Sequence, residues 1–392
     1  MTSESLHPLR PHETVQRILI SSTSHFIGEF ENLAILISHA FPGFQDRGGF
    51  ARRMEGPSSR TGLIISFRTE PLKKEAGIVL PNFEPHGDLF CSYLSLLFGK
   101  RFDTHGPFET NGNFWLPDMA NFDQFINHLT PQNRHRPRAD LPIPLNLSEI
   151  QRLEALLLDY SIDQKLRTTF QAACRFYLRA LQSAENDVEV SYLHLITAGE
   201  ILSNVTDIDN SELIDDDTKG LLSRIEAGMP DGAAVSRAVR GKLRQIKRRF
   251  VLTITHLIDD DFFDRREAAH EYQTFRKDTF KQRISAAYDI RSRYVHTGTA
   301  FGGWIAPRGN GSNDEVITGR PVVNDAEFAN LLERTPTYVG LERVMRYALL
   351  KFAEKTGLID LSNITSKPAD NSCEADQDLV MPIEPIGDAK AP

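Results

Sequence analysis

Apolar residues come in two textures along this chain. Between about Ile18 and Pro131 they form short runs, such as GLIISF (62–67) and AGIVLP (76–81), separated by Gly and Pro, a pattern that predicts strands and turns. One longer run, LFCSYLSLLFGKRF (89–102), predicts a helix stopping at Gly99, and THGPFETNGNFWLPD (104–118) returns to strand and loop. The first part therefore reads as an α+β, β-rich domain over 1–140.

The stretch PQNRHRPRADLPIPLN (131–146) concentrates Pro and Arg, which suits an extended linker, and the texture changes beyond it. Ser148 with Gln151, and Ser161 with Gln164, have the spacing at which a side-chain oxygen satisfies an exposed helix N–H, so both announce helices. Helical periodicity then covers 149–159, 162–183, 187–204, 211–227, 232–257, 265–297 with room for a break, and 336–356, where Gly357 suits a C-cap. The second part reads as an all-α bundle over 147–358. The polar, aperiodic tail 363–392 is expected to be disordered.

Composition narrows the class. A chain of 392 residues, 40% hydrophobic and 25% charged, suits two or three globular domains, and its net charge of −8 argues against indiscriminate binding to polyanions. Cys91, Cys174 and Cys373 lie too far apart for a disulfide framework or a zinc cluster, which fits a reducing cytoplasm. No apolar run approaches the ~20 residues a membrane helix needs, and the N-terminus does not read as an export signal.

The chemistry concentrates in YDIRSRYVHTG (288–298). With Phe280 as origin and about 100° per residue, Ile284, Ala287, Tyr294 and Val295 fall within about 60° of it, and Arg291 falls about 20° away. A guanidinium on an apolar stripe requires a partner, because removing its charge from water costs several kcal/mol. Glu200, within a stripe formed by Leu193, Ile196, Thr197 and Ile201, is the candidate. A structural ion pair between them is the plain alternative to any functional role. His296 and Ser292, four residues apart, share one flank, and Gly298 ends the helix, so the imidazole sits in the last turn where backbone carbonyls favour its charged form. A solvent-facing histidine that complements the helix dipole is the alternative there.

YDIRSRYVH resembles the signature of the HEPN superfamily (higher eukaryotes and prokaryotes nucleotide-binding domains): an Arg, a polar residue, a short spacer and a His late in a helical bundle. With SYLHLITAGEILSN (191–204) it resembles the Apea-like branch of that family. The resemblance covers about 150–356. It places Arg291, Ser292 and His296 at the motif positions, with Ser where Asn is commoner, and Glu200 and Tyr288 in support. It implies a homodimer whose two motifs face each other, and a metal-independent, cofactor-free endoribonuclease of defence or toxin-like systems. The N-terminal domain would then sense, recruit or bind a regulatory partner. Some members are non-catalytic, so a helical module that binds nucleotide or a partner protein is the second expectation. A bundle serving as scaffold for an activity in the first domain is the third.

SRAVRGKLRQIKRRF (236–250) has no acidic residue, and Arg237, Arg240, Arg244, Lys247 and Arg248 recur every three or four positions, giving a cationic helix face suited to RNA phosphates. The competing reading is a solvated face balanced by the acidic runs IDNSELIDDD and IDDDFFD. DIDNSELIDDDTKG lacks the central Gly and terminal Glu of a calcium loop. RGNGSND lacks a P-loop lysine, and His194 with Glu200 lacks the spacing of a helical zinc site. Asp103 and His105 stand without an evident nucleophile.

Overall fold

The computed structural model describes residues 13–32, 34–40, 60–69, 82–120, 126–159, 161–214, 216–242 and 246–362. Strands β1 (Thr14–Ser22), β2 (Phe30–Glu31), β3 (Ile35–His39), β4 (Thr61–Thr69), β5 (Phe102–Thr110) and β6 (Asn113–Phe114) form one antiparallel sheet in the order β2-β3-β4-β1-β5-β6. Side chains of a strand alternate between faces, so Ile18 and Ile20 of β1 share a face with their register partners Ile65 and Leu63 of β4, and Ile37 of β3 sits opposite Ile65. All five are fully buried. Helix α1 (Glu84–Phe98) packs on β1 and β5, and it ends at Gly99, whose φ of 63° is the left-handed conformation glycine adopts without strain. GLIISF is the middle of β4, whereas AGIVLP and the tail 363–392 lie outside the described residues.

A helical region follows. After a 3₁₀ turn at Leu147–Leu153 come α2 (Glu154–Leu158), α3 (Gln164–Ser183), α4 (Val188–Ser203), α5 (Asn210–Leu213), α6 (Asp216–Gly228), α7 (Gly232–Lys242), α8 (Ile246–Leu257), α9 (Asp260–Asp264), α10 (Lys277–Thr297), α11 (Gly302–Ile305), α12 (Ala326–Arg334) and α13 (Tyr338–Lys355). Helix α4 is central: Tyr192, Leu195, Ile196, Ala198 and Leu202 are fully buried, and it packs against α3, α8, α10 and α13. The caps differ from expectation. Asn146 and Asp163, rather than Ser148 and Ser161, accept the free N–H groups of Ser148 and Leu166, at 3.0 and 2.9 Å. Of the span expected at 232–257, the described residues 232–242 and 246–257 are helical; the span expected at 265–297 divides, and α12, which starts at the Asp325 cap, lies outside the spans expected to be helical.

The segment 131–146 has no helix or strand, as a linker would, but it is not solvated: Arg138, Asp140, Leu141 and Ile143 are buried. Arg138 forks onto Glu342 of α13 at 2.8 and 2.6 Å and reaches Glu267 at 2.7 Å. Arg346, one turn further along α13, pairs with Asp140 at 2.7 Å and donates to the carbonyls of Leu96 and Leu97 at the end of α1. Arg343 pairs with Glu315 at 2.7 Å. These buried pairs join sheet region, connecting segment and bundle, and the apolar core is contiguous from Ile18 to Leu361.

Candidate functional site

Helix α10 carries the motif. Phe280, Ile284, Ala286, Ala287 and Ile290 are its buried side chains, so the core face shifts along the helix from Phe280 toward Ile290, and Arg291 lands on the margin rather than in the middle. The expected apolar stripe does not continue: Tyr294 is half-buried and Val295 is 56% exposed. On α4, Ile196 is buried, but Leu193, Thr197 and Ile201 are only half-buried, because the core surrounds Tyr192, Leu195 and Leu202 instead.

The expected partners meet. Arg291 donates to Glu200 Oε2 at 3.0 Å, and the Tyr288 hydroxyl donates to Glu200 Oε1 at 2.8 Å, so one carboxylate holds both side chains. The Arg291 and Glu200 side chains are 24% and 19% exposed, and Arg291 also lies over the Tyr288 ring, 5.7 Å from its centroid. Burial, and next the hydrogen bond to Glu200, push the Tyr288 phenol up to about 12, so it keeps its proton and remains a donor. Arg291 Nε has no partner among the described residues. The guanidinium is thus oriented by the carboxylate and the ring, with its Nε buried.

Ser292 is half-buried and His296 is exposed in the last turn, which closes where Gly298 (φ 68°) donates to the Tyr294 carbonyl at 2.8 Å. Five residues of helix place His296 about 140° around the axis from Arg291, while Ser292 lies only about 40° from His296. One chain therefore presents the imidazole and the guanidinium on different sides of the same helix.

The glycine before Glu200 is where α4 packs closely on two other helices. A Cβ on Gly199 would stand 2.5 Å from Phe250 Cε2 and 2.7 Å from Met345 Cε, so only a bare backbone admits α8 and α13 this closely. Gly199→Ala is expected to destabilise the protein by ~1–3 kcal/mol through overpacking, despite the better helix propensity of alanine. An unchanged denaturation midpoint would show that the two side chains move aside without cost.

The cationic face is not continuous. Arg237 is exposed on α7, but Lys247 pairs with Asp289 of α10 at 2.7 Å and Arg248 donates to the Glu212 carbonyl at 2.6 Å. Arg240 falls in α7, and Arg244 lies outside the described residues. Lys247 and Arg248 thus brace α10 and the α5 segment, roles that depend on long-range partners with no local signal.

Elsewhere, His105 does acquire a hydroxyl partner: its Nε2 lies 2.8 Å from Ser21 Oγ, and its Nδ1 2.7 Å from the Asp118 carbonyl. Both side chains are sealed in the sheet, and Asp103 is engaged by Arg60 and Arg101, so the cluster has no route to a substrate. His25 stacks on His135 with centroids 3.8 Å apart, and the His128 ring lies tilted to His135 at 4.8 Å. Among the described residues no group of three His, Cys, Asp or Glu has metal-binding geometry, and no helix is long and apolar enough to cross a membrane. Comparison with family models, curated proteins and solved structures finds no match to this chain.

Proposed function

We propose that this chain is a cytoplasmic, metal-independent endoribonuclease of the HEPN type, acting as a homodimer in a defence or toxin-like setting. The carrying observation is the cluster on α10: a guanidinium held by Glu200 and Tyr288, with Ser292 and an exposed imidazole within the next turns. RNA cleavage through its own 2′-hydroxyl needs a base for that proton, an acid for the leaving 5′-oxygen, and cationic donors for the phosphorane. Two His296 side chains across a two-fold axis supply the acid and the base. Arg291, pre-oriented by Glu200, donates to the non-bridging oxygens, and Ser292 orients the imidazole or the phosphate.

In this reading a second copy completes the site, and the divergence of Arg291 and His296 about the helix axis supports it, since one helix directs the two side chains to different sides. Val295, about 40° from Arg291 and exposed, gives that side an apolar surface of the kind a subunit seam covers.

The reading is tested with the wild-type protein and labelled single-stranded RNA in EDTA. Cleavage leaving 2′,3′-cyclic phosphate and 5′-hydroxyl ends is expected, together with resistance of an RNA carrying 2′-O-methyl groups throughout. Cleavage of the methylated RNA, or activity that requires added metal, would exclude this chemistry.

A further inference from the structure

A cavity of about 1180 Å³ lies away from the motif. It opens between Lys100 after α1, the connecting segment at 131–142, and the stretch from Phe263 to Arg276 that leads into α10. Its lining carries seven basic side chains against three acidic ones, in a protein whose net charge is −8. One of those acids, Glu267, is already committed to Arg138 at 2.7 Å.

Arg276 is paired with Asp278 at 3.0 Å, but three other cations of the lining are weakly compensated. Arg134 and Arg265 donate to the carbonyls of Gly311 and Asp140, at 3.0 and 2.8 Å, and neither has a carboxylate within ion-pair distance among the described residues. Arg266 has no hydrogen-bond or ion-pair partner among those residues. At the floor Lys100 is fully buried, with its amine on the Pro131 carbonyl at 2.7 Å. Burial, and next the nearby Arg138, push this amine well below the ordinary lysine range.

The rim supplies an aromatic surface. Tyr272 is 63% exposed and lines the cavity, and the His270 ring stacks on it with centroids 5.3 Å apart and planes 10° from parallel. A stacked, exposed tyrosine beside uncompensated guanidinium groups matches a ligand that carries both phosphate and a flat base. The bounded volume suits a single small molecule better than a polymer track.

We propose that this cleft is a binding site for a nucleoside polyphosphate, with Arg134, Arg265 and Arg266 around the phosphate chain and the base on Tyr272. The site is separate from the α10 motif. Arg276 immediately precedes α10, and Arg291 lies fourteen residues beyond its first residue, about 21 Å along the axis. The proposal stands whether or not the chain cleaves RNA.

The test is calorimetric titration of the full chain in EDTA with each of the four ribonucleoside triphosphates, tripolyphosphate, and a short single-stranded RNA. At least one triphosphate is expected to bind with Kd below ~100 µM. Arg266→Glu should weaken it ~10-fold or more, and Tyr272→Ala ~5-fold or more, while Tyr272→Ala leaves tripolyphosphate binding unchanged. Both side chains lack structural partners that matter to the core, and melting curves check that each variant folds. No saturable binding of any triphosphate below ~1 mM overturns the proposal. So does binding indifferent to both substitutions, or tripolyphosphate binding as tightly as the nucleotide. RNA that binds without being displaced by a nucleotide would make the cleft an RNA surface instead.

Discussion

Replacing His296 with alanine is expected to lower metal-independent RNA cleavage by ~10²–10⁴-fold, with no change in melting temperature. The side chain is exposed and makes no hydrogen bond or ion pair among the described residues, so its removal leaves no buried group unsatisfied, and surface changes of this kind shift stability by only ~0.5 kcal/mol. In a homodimer the substitution removes both imidazoles at once, and with them acid and base together. Arg291→Ala should be as damaging to the rate and should also cost about 1 kcal/mol of stability, since it leaves Glu200 held by Tyr288 alone in a half-buried setting. Arg291→Lys keeps the charge and loses the fork, so its rate should fall between the two. Gel-based cleavage rates beside melting curves separate these outcomes. If His296→Ala cleaves at the wild-type rate, the imidazole is not part of the machinery. If Arg291→Ala unfolds the bundle while His296→Ala changes nothing, the pair with Glu200 is structural.

Much of this site was legible because it depends on helical periodicity, which the sequence records directly. The meeting of Arg291 with Glu200, 91 positions apart, follows from two helices each carrying one charge on an apolar flank, since opposite charges are the stable way to bring such flanks together. Where that reasoning erred, the helix met unequal neighbours. Late in α10 the bundle claims Ile290, about 80° away from Phe280, and Arg291 and Val295 are left at the margin. Periodicity locates a stripe but not which half of it a partner covers. The same holds for Lys247 and Arg248, whose spacing suited a phosphate track until tertiary partners claimed them.

The segment 131–146 failed for a different reason. Its Pro and Arg content has a solvated, extended reading, and only carboxylates over a hundred positions away make Arg138 internal. Nothing local marks Glu342, Arg343 and Arg346 as buried, because a charged helix face ordinarily faces water. The cavity went unseen for the same cause, as its cations come from three separate segments.

Arg346→Met is expected to destabilise the protein by ~3–5 kcal/mol, the loss typical of breaking a buried ion pair from one side. Arg346 and Asp140 are both fully buried, the pair runs through Asp140 Oδ1, and Oδ2 has no hydrogen-bond partner among the described residues. The substitution also strips the Leu96 and Leu97 carbonyls of their donor at the C-terminal end of α1, where cationic donors are most favourable. The loss carries a pH signature. In the wild type, burial alone would raise the Asp140 carboxyl, but Arg346, then Arg138 and Arg343, hold it below its ordinary value. That carboxylate therefore stabilises the fold above the ordinary carboxylate range, and the contribution disappears as pH falls through its lower folded value. Without Arg346, burial dominates and the folded-state value rises above the unfolded one, so the variant loses stability as pH rises through it. The gap between the two proteins should thus widen from pH 5 to pH 8, read as a growing difference in urea midpoint. Adding Asp140→Asn should remove that pH dependence and recover part of the stability, but not the part owed to the two orphaned carbonyls. A gap of equal size at both pH values would mean that Asp140 is not the group left uncompensated, and that the arginine acts through the α1 carbonyls alone.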